Sequence, residues 1–263
     1  MELSGKVAFI TGGGGGIGAG IATALVERGM RVALADIDID RAREAAATIG
    51  QVARAVRIDV TEERSWAEAK AEVEAEIGPV EVLCNNAGIA TPPLLLDETS
   101  PELFAKILAV NVGGVLNGIR AFAPDMKARR RGHIINTSSL NGLLAHGTFG
   151  AYSATKFAVT GMTDALRQEL APYGVGVSTL YPGLTRSYMS LSSDTAALLA
   201  DMPPDTRMAE MMDPLWLGRA VANAIEMNRE HIITHPSVKP EVERRQQALL
   251  AEFGEPAQPD YVG

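Results

Sequence analysis

The sequence is short of cysteine and of basic charge, and each shortage excludes a class of protein. Its only cysteine, Cys84, cannot form an internal disulfide, which favours a reducing, cytoplasmic compartment. The net charge of −8 disfavours nucleic acid and anionic membrane surfaces as partners, because both select basic patches. The one strongly basic run, Arg129–Arg131, is typical of positive charge at a helix C-terminus.

Long apolar runs are missing as well. No stretch approaches the roughly 20 apolar residues that a membrane-spanning helix needs. A strand-like run that begins at Val7 leaves no room for a signal peptide. What the chain does have, 46% hydrophobic and 21% charged residues, is the balance of a globular protein with a sizeable core. We therefore expect a soluble, cytoplasmic protein.

Short apolar, β-branched runs alternate with helix-period segments over most of the 263 residues. The predicted strands are Val7–Thr11, Arg31–Asp36, Ala53–Asp59, Val80–Asn85, His133–Ser138, Val175–Tyr181 and His231–Thr234. The predicted helices are Gly18–Arg28, Asp40–Ile49, Glu62–Ile77, Pro101–Arg129, Tyr152–Tyr173 and Pro214–Asn228. This alternation implies βαβ units, hence an α/β fold with a doubly wound parallel sheet of about seven strands and helices on both faces. No repeat or linker divides the chain, so we expect one domain over residues 1–263.

Two segments depart from this rhythm. Residues 187–213 are rich in methionine and carry Pro203-Pro204, without a strand period. Because methionines adapt their shape, we interpret this segment as a substrate lid, although the same methionines would suit a core or a subunit interface. The tail, residues 239–263, reads as polar and helical to about Glu252 and then contains glycine and proline.

A glycine-rich turn follows the first strand and opens the first helix. In Thr11–Gly18, glycines would let backbone N–H groups approach a pyrophosphate at a helix N-terminus, although five consecutive glycines fit several registers. Asp36 ends the second strand at the spacing of a ribose-binding carboxylate. Such a carboxylate binds the ribose hydroxyls of NAD and repels the 2′-phosphate of NADP. With no arginine or lysine in the turn or directly after Asp36, we expect NAD.

Tyr152 and Lys156 lie four residues apart, so they share one face of a predicted helix. A lysine ammonium near a phenol favours the phenolate and lowers a pKa that is otherwise about 10. A tyrosine tuned in this way can act as a general acid/base at neutral pH. An amphipathic helix with a snorkelling lysine shows the same spacing, so the interpretation depends on the rest of the chain.

In that context the chain resembles the short-chain dehydrogenase/reductase family in its compact one-domain form, a Rossmann-type fold. Motifs typical of the family follow one another in order from Thr11 to about Ser187. They are the glycine turn with Gly12, Gly16, Ile17 and Gly18, then Asp59-Val60, Asn85-Asn86-Ala87-Gly88, Asn111, Ser139, Tyr152 with Lys156, and Pro182-Gly183 with Thr185 and Ser187.

The resemblance implies reversible oxidation of a secondary alcohol to a ketone, with NAD as the hydride carrier. It implies that Tyr152 is the general acid/base, that Lys156 lowers its pKa and binds the nicotinamide ribose, and that Ser139 hydrogen-bonds the substrate oxygen. Asn111 would hold a water that links Lys156 to solvent. Ser138 is the alternative to Ser139, which is chosen on spacing. The implied cofactor-binding residues are Gly12, Gly16, Ile17, Gly18, Asp36, Asp59, Val60, Asn86, Ala87, Gly88, Tyr152, Lys156, Pro182, Gly183 and Thr185.

Substrate specificity is expected in the loops that flank the reactive carbon. The candidates for the pocket wall are Asn141, His146, Phe149, Leu184, Tyr188 and Met189. These loops carry no basic cluster for a phosphorylated or CoA-linked substrate, so we expect a neutral hydrophobic alcohol that is aromatic, steroid-like or terpenoid. No metal site is expected. The resemblance also implies a homodimer or homotetramer built on the helices Pro101–Arg129 and Tyr152–Tyr173.

Other functions fit part of this pattern. An NADPH-dependent carbonyl reductase is the nearest alternative, and Asp36 argues against it. A catalytically silent NAD-binding scaffold could use the same fold, but it would be expected to lack one of the four catalytic positions. A nucleotide-sugar epimerase shares the Tyr–Lys pair yet normally needs a larger C-terminal substrate domain.

Overall fold

The computed structural model describes residues 1–187 and 211–254, and in this part of the chain seven parallel strands form one sheet. The strands are β1 Val7–Thr11, β2 Arg31–Asp36, β3 Ala53–Arg57, β4 Val80–Asn85, β5 His133–Thr137, β6 Gly176–Tyr181 and β7 His231–Ile233. Their order across the sheet is β3-β2-β1-β4-β5-β6-β7, and each neighbouring pair is parallel. The predicted α/β doubly wound sheet is confirmed.

Helices cover both faces of this sheet. They are α1 Gly16–Glu27, α2 Ile39–Ile49, α3 Glu63–Ile77, α4 Pro101–Leu108, α5 Gly114–Arg129, α6 Gly150–Leu170, α7 Pro214–Met227 and α8 Lys239–Ala251. Because successive strand residues point to opposite faces, β1 contributes Ile10 to one apolar cluster and Phe9 to the other. Ile10 clusters with residues of α1 and α7, whereas Phe9 stacks on Trp66 and contacts Phe122.

The strand order reverses between β1 and β4, which are neighbours in the sheet although they are not consecutive in the chain. In an open α/β sheet, ligands bind beyond the carboxyl ends of the strands at such a reversal. The glycine turn follows β1, and the loop that begins at Asn86 follows β4. The fold therefore brings these two motifs to the same edge of the sheet.

The predicted helix Pro101–Arg129 is interrupted in its middle. Its α4 part ends at Leu108, a π-helical turn spans Ala109–Gly113, and α5 continues from Gly114. A π turn shifts the hydrogen-bond register of a helix and often marks a functional site. Hydrophobic periodicity cannot reveal such a turn, because it adds a single residue to a pattern that otherwise continues.

This helical run of 29 residues is also apolar enough, by length and composition alone, to cross a membrane. Lys106, Asn111 and Asn117 interrupt its apolar residues, so it is not an unbroken apolar stretch of about 20 residues. In the structure Phe122, Ala123 and Met126 of the run are buried in the cluster beneath the sheet. A core helix of a globular protein passes the same test. Phe104 and Leu116 of the run are exposed.

The methionine-rich segment falls mostly on residues 188–210, outside the described residues. At its edges Thr185 and Met212 form a β-bridge, and Arg186 is ion-paired with Asp213. Met211 is buried, and Met212 packs against the apolar cluster of α1 and α7. These two methionines pack in the core, which is the alternative to the lid. The predicted tail helix is present as α8, and residues 255–263 lie outside the described residues.

Candidate active site

The glycine turn has backbone geometry that other residues would not adopt without strain. Gly12 and Gly16 have φ of +65° and +52°, which is left-handed backbone. A Cβ on Gly18 would lie 2.2 Å from the carbonyl oxygen of Gly12, and a Cβ on Gly16 would lie 2.6 Å from the Cβ of Ser187. The structure thus shows which glycines the turn requires: Gly12 and Gly16 for their left-handed backbone, and Gly16 and Gly18 for the space that a Cβ would fill. The turn therefore presents backbone rather than side chains to the site.

Asn86 fastens this turn to the end of β4. Its Nδ2 donates to the carbonyl oxygen of Thr11 at 3.0 Å, and its backbone N–H donates to Thr11 Oγ1 at 2.9 Å. The backbone N–H of Ala87 also donates to Thr11 Oγ1, at 3.0 Å. These bonds hold the loop that contains Gly88 beside the glycine turn.

Asp36 closes the far end of the site. Its Oδ2 accepts from the backbone N–H of Gly14 at 2.9 Å, and its Oδ1 accepts from that of Asp38 at 3.1 Å. Arg41, from the first turn of α2, lies beside Asp36 and is ion-paired with Asp38 at 3.1 Å. A cavity of about 190 Å³, here named the Asp36 cavity, is lined by Gly12, Gly14, Gly15, Ile17, Asp36, Arg41, Asn86, Ala87, Gly88 and Ser187.

Arg41 is a residue that sequence reasoning missed. No basic side chain stands in the glycine turn or directly after Asp36, whereas Arg41 lies five residues after Asp36. The start of α2 turns back toward Gly14, and this brings the side chain to the cavity wall. The sequence signal for such a cavity residue is a basic side chain in the first turn of the helix that follows Asp36.

A second cavity of about 340 Å³, here named the Tyr152 cavity, continues from the first. Ile17, Asn86, Gly88 and Ser187 line both. The Tyr152 cavity brings together about half of the predicted residues, chiefly from the loop after β5, α6 and the loop after β6. Its lining is Ile17, Asn86, Gly88, Ala90, Thr137, Ser138, Ser139, Leu140, Asn141, Phe149, Tyr152, Lys156, Pro182, Gly183, Leu184, Thr185 and Ser187.

The two adjacent serines have different partners. Ser138 is buried, and its hydroxyl donates to the carbonyl oxygen of Lys156 at 2.8 Å and contacts Thr160 Oγ1 at 3.0 Å. Ser139 is only partly buried, and its Oγ accepts from the backbone N–H of Asn141 at 3.1 Å. Because Ser139 accepts that bond, its own proton can be donated toward Tyr152 or a substrate oxygen. The geometry thus favours Ser139 over Ser138 as the residue that meets the substrate.

Burial controls the pKa values of the Tyr152–Lys156 pair. It raises the pKa of Tyr152 to about 12, and a hydrogen bond with Ser139 opposes this shift. It lowers the pKa of Lys156 to about 8. The ammonium of Lys156 donates to the carbonyl oxygen of Thr137 at 2.9 Å and lies 5.5 Å from the centre of the Tyr152 ring. The expected lowering of the tyrosine pKa is therefore not achieved by the protein's own residues, because desolvation outweighs the hydrogen bond with Ser139.

Asn111 lies behind Lys156 in the π-helical turn and does not line the Tyr152 cavity. Its Oδ1 accepts from the backbone N–H of Ile89 at 2.8 Å, and its Nδ2 donates to the carbonyl oxygen of Ile89 at 2.9 Å and to Thr155 Oγ1 at 3.1 Å. Both amide protons are used within the protein. A water held by Asn111 would therefore contact its backbone or the second lone pair of Oδ1, and not its side-chain N–H groups.

The loop after β6 forms the remaining wall. The carbonyl oxygen of Pro182 accepts from the backbone N–H of Leu140 at 3.0 Å, and the N–H of Gly183 donates to His235 Nδ1 at 3.1 Å. Thr185 is buried, and its hydroxyl donates to the carbonyl oxygen of Gly183 at 3.1 Å. His235 is a second residue that the sequence did not reveal, since nothing in its spacing marks it.

This arrangement can be compared with known proteins. A family model for short chain dehydrogenases matches residues 6–197. The chain belongs to this family.

Two relatives and one solved structure illustrate the family likeness. A 3-alpha-(or 20-beta)-hydroxysteroid dehydrogenase of Mycobacterium tuberculosis is 40% identical over 189 residues, covering 72% of each chain. A C alpha-dehydrogenase of Sphingobium is 30% identical over 264 residues, covering 95% of this chain and 87% of that protein. The crystal structure of a short-chain dehydrogenase/reductase from Burkholderia phymatum in complex with NAD superposes with a TM-score of 0.88 at 29% identity over the full length of both.

Some residues predicted for this short-chain dehydrogenase lie away from the two cavities. Asp59 accepts from the N–H and hydroxyl of Thr61 in its own turn, and Val60 packs against Gly114. His146 is exposed and bonds Thr148, so it does not line the Tyr152 cavity, although its ring contacts Phe149. Tyr188 and Met189 lie outside the described residues.

One group of potential metal ligands lies together in the described residues, Asp164 with Glu230 and His231. It contains none of the residues that line the two cavities.

Proposed function

We propose that this short-chain dehydrogenase oxidises a secondary alcohol to a ketone, and catalyses the reverse reaction, with NAD as the hydride carrier. The observation that carries the proposal is the convergence of Ser139, Tyr152 and Lys156 on one cavity, with Asn111 directly behind them. That cavity joins a glycine-lined cradle that ends at Asp36. A catalytically silent scaffold would have no need for all four side chains.

The cradle fits a dinucleotide. Backbone N–H groups of the glycine turn at the start of α1 suit a pyrophosphate, and the glycines leave the space that side chains would fill. When bound, NAD would supply the hydride chemistry. The residues that would hold it are those of the Asp36 cavity together with Lys156, Pro182 and Gly183.

The protein's own residues would carry out the proton transfer. Ser139, oriented by the N–H of Asn141, would donate to the substrate oxygen, where charge develops in the transition state. Tyr152 would remove the hydroxyl proton in oxidation and return it in reduction. Lys156, charged near neutral pH and held by Thr137, would favour the phenolate and bind the ribose. Exclusion of water by the apolar wall would strengthen each of these interactions.

Asp36 supports NAD as the cofactor. Both of its oxygens accept backbone N–H groups, which holds the carboxylate at the end of β2 where a ribose would lie. One observation favours the second candidate, an NADPH-dependent carbonyl reductase: Arg41 stands in the same cavity and could attract a phosphate. Its ion pair with Asp38 reduces that attraction, so we favour NAD.

The wall of the Tyr152 cavity supports a neutral, hydrophobic substrate. Ala90, Leu140, Phe149 and Leu184 supply its apolar part. Among the described residues no arginine lines it, and Lys156 is the only lysine that does. A relative named for hydroxysteroids agrees with a bulky alcohol. We propose an aromatic, steroid-like or terpenoid secondary alcohol.

We further propose a homodimer or homotetramer, in which the exposed Phe104 and Leu116 of the α4–α5 run would be covered. A single domain and a cytoplasmic location stay predictions of the sequence.

A screen of secondary alcohols tests the proposal. The purified protein is incubated with each alcohol and either NAD⁺ or NADP⁺, and the absorbance of the reduced cofactor is followed. We expect bulky aromatic or alicyclic alcohols to be oxidised with NAD⁺ and much more slowly with NADP⁺. Faster turnover with NADP⁺ would favour the carbonyl reductase. Binding of NAD⁺ without oxidation of any alcohol or reduction of any ketone would favour the scaffold.

A further inference from the structure

Thr155 stands between Tyr152 and Lys156 on α6 and is fully buried. Its hydroxyl donates to the carbonyl oxygen of Tyr152 at 2.7 Å. The oxygen of the Thr155 hydroxyl also accepts from Asn111 Nδ2, at 3.1 Å. Since the single hydroxyl proton is already committed to Tyr152, this oxygen can serve Asn111 only as an acceptor, and the donor–acceptor order is fixed.

Asn111 depends on this acceptor. Its other contacts are both to the backbone of Ile89, and the side chain is 1% exposed. Without the Thr155 hydroxyl, one amide proton of Asn111 would be buried without a partner, and that is an unfavourable state which a side chain avoids by moving. The Asn111 side chain thus joins three segments, the loop after β4, the π-helical turn and α6.

These segments meet around the ammonium of Lys156. A Cβ on Gly88 would lie 3.2 Å from Asn111 Oδ1 and 3.6 Å from Lys156 Nζ, so both groups border the same small space. The Thr155–Asn111 bond is the hydrogen bond that ties the π-helical turn to the helix that carries Tyr152 and Lys156. It therefore links the π-helical turn directly to the helix of the proposed proton-transfer pair.

We propose that Thr155 is a positioning residue, which holds Asn111 and its π-helical turn in register with Tyr152 and Lys156 for proton transfer. The proposal rests on the proposed function, because it concerns the turnover of that same site. A merely structural role is the rival explanation, since buried threonines in helices often donate to a carbonyl oxygen one turn earlier.

The same helix contains a second buried threonine, Thr163, which serves as a matched control for a merely structural role. Thr163 is 2% exposed, donates to the carbonyl oxygen of Val159 at 2.6 Å, and accepts from Asn136 Nδ2 at 3.1 Å. Asn136 in turn accepts, through Oδ1, from Asn85 Nδ2 at 2.8 Å. The bonding of the two threonines is alike, but Thr163 is two turns further along and lines neither cavity.

The test compares Thr155→Val, Thr155→Ser and Thr163→Val with the wild type. Melting temperature, Kd for NAD, kcat, KM and the pH dependence of kcat are measured for each with an alcohol found in the screen. We expect Thr155→Val to lower kcat on the order of tenfold, because small displacements of catalytic groups are costly. Its KM and Kd should change less than about twofold, since uniform binding is kept. The rise of kcat with pH should move to higher pH, because Lys156 would then favour the phenolate less.

Thr155→Ser, which keeps the hydroxyl, should retain kcat within about threefold. Thr163→Val should lose as much stability as Thr155→Val and keep the wild-type kcat and pH profile. Equal kcat values and equal pH profiles for Thr155→Val and Thr163→Val would overturn the proposal. If Thr155→Val does not fold, Thr155→Ala and Thr155→Ser are compared, and equal kcat in those two would overturn it as well.

The outcomes separate this proposal from the proposed function. An inactive wild type would remove the proposed function and this inference with it. An active wild type with unaffected Thr155 variants would remove only the inference.

Discussion

The Tyr152 cavity and the Asp36 cavity, which share four lining residues, are built differently. At the Tyr152 cavity Lys156 is buried and donates to the carbonyl oxygen of Thr137, and Ser139 accepts from the backbone N–H of Asn141. At the Asp36 cavity the polar groups are partly exposed, and an acid and a base stand side by side, Asp36 and Arg41. We expect the groups around the buried Lys156 to determine the chemistry, and the opposite charges of Asp36 and Arg41 to set a cofactor preference that a single substitution can change. Substitutions at the Tyr152 cavity should therefore affect turnover, and substitutions at the Asp36 cavity should affect the choice of cofactor.

The largest effect after that of Tyr152 itself is expected from the two serines. Ser139→Ala removes the proposed donor to the substrate oxygen and should lower kcat by about 100-fold or more, the scale seen when one such donor is lost. Ser138→Ala removes a bond to the carbonyl oxygen of Lys156 and should cost about 1 kcal/mol of stability while kcat falls only a few-fold. Steady-state kinetics and thermal unfolding of both variants measure this. A larger loss of kcat in Ser138→Ala than in Ser139→Ala would mean that Ser138, and not Ser139, donates to the substrate oxygen.

The pH dependence of the reaction should differ between its two directions. Burial holds the pKa of Tyr152 above its usual value, and oxidation needs the ionised phenol. Oxidation should therefore rise from about pH 6 to about pH 10, by up to about tenfold per pH unit below the pKa. Ketone reduction needs the protonated phenol, so it should stay level and then fall at high pH. Profiles of kcat for both directions decide this, and a level oxidation profile over the whole range would contradict the role of Tyr152.

A smaller effect, on the choice of cofactor, is expected at the Asp36 cavity. Asp36→Ala removes the carboxylate that repels a 2′-phosphate and leaves Arg41 in place. The ratio of kcat/KM with NADP⁺ to that with NAD⁺ should rise on the order of tenfold, while kcat at saturating cofactor stays near the wild type. Adding Arg41→Ala should abolish the gain. An unchanged ratio in Asp36→Ala would mean that the carboxylate does not select the cofactor.

Much of the fold followed from the sequence because its signals are local. Apolar β-branched runs predicted all seven strands, and their ends shifted by at most two residues: β3 ends at Arg57 rather than Asp59, whose carboxylate bonds Thr61 in the following turn. The π-helical turn at Asn111 escaped prediction because it leaves the apolar pattern nearly intact. Knowing where such a turn lies requires the contacts of Asn111 with Ile89 and Thr155, which are far away in the sequence.

The candidate site was predictable where spacing reflects chain geometry and not where it depends on tertiary contacts. Tyr152 and Lys156 fall on one helix face by their spacing, and Ser139 meets them in the cavity. The pKa of Tyr152 could not be obtained from that spacing, because it depends on how deeply the phenol is buried. Arg41 reaches the Asp36 cavity because of the path of α2. His235, which follows β7, reaches the backbone N–H of Gly183. No sequence motif indicates either contact.

The most direct test of the account is the Tyr152→Phe variant, with NAD binding and turnover measured on the same preparation. Phenylalanine fills the same space without the hydroxyl, so the cradle at Asp36 and the glycine turn should be unchanged. We predict a Kd for NAD within about twofold of the wild type and a loss of at least about 100-fold in kcat, the scale of general acid/base catalysis. Turnover near the wild-type value in a variant that still binds NAD would contradict the account.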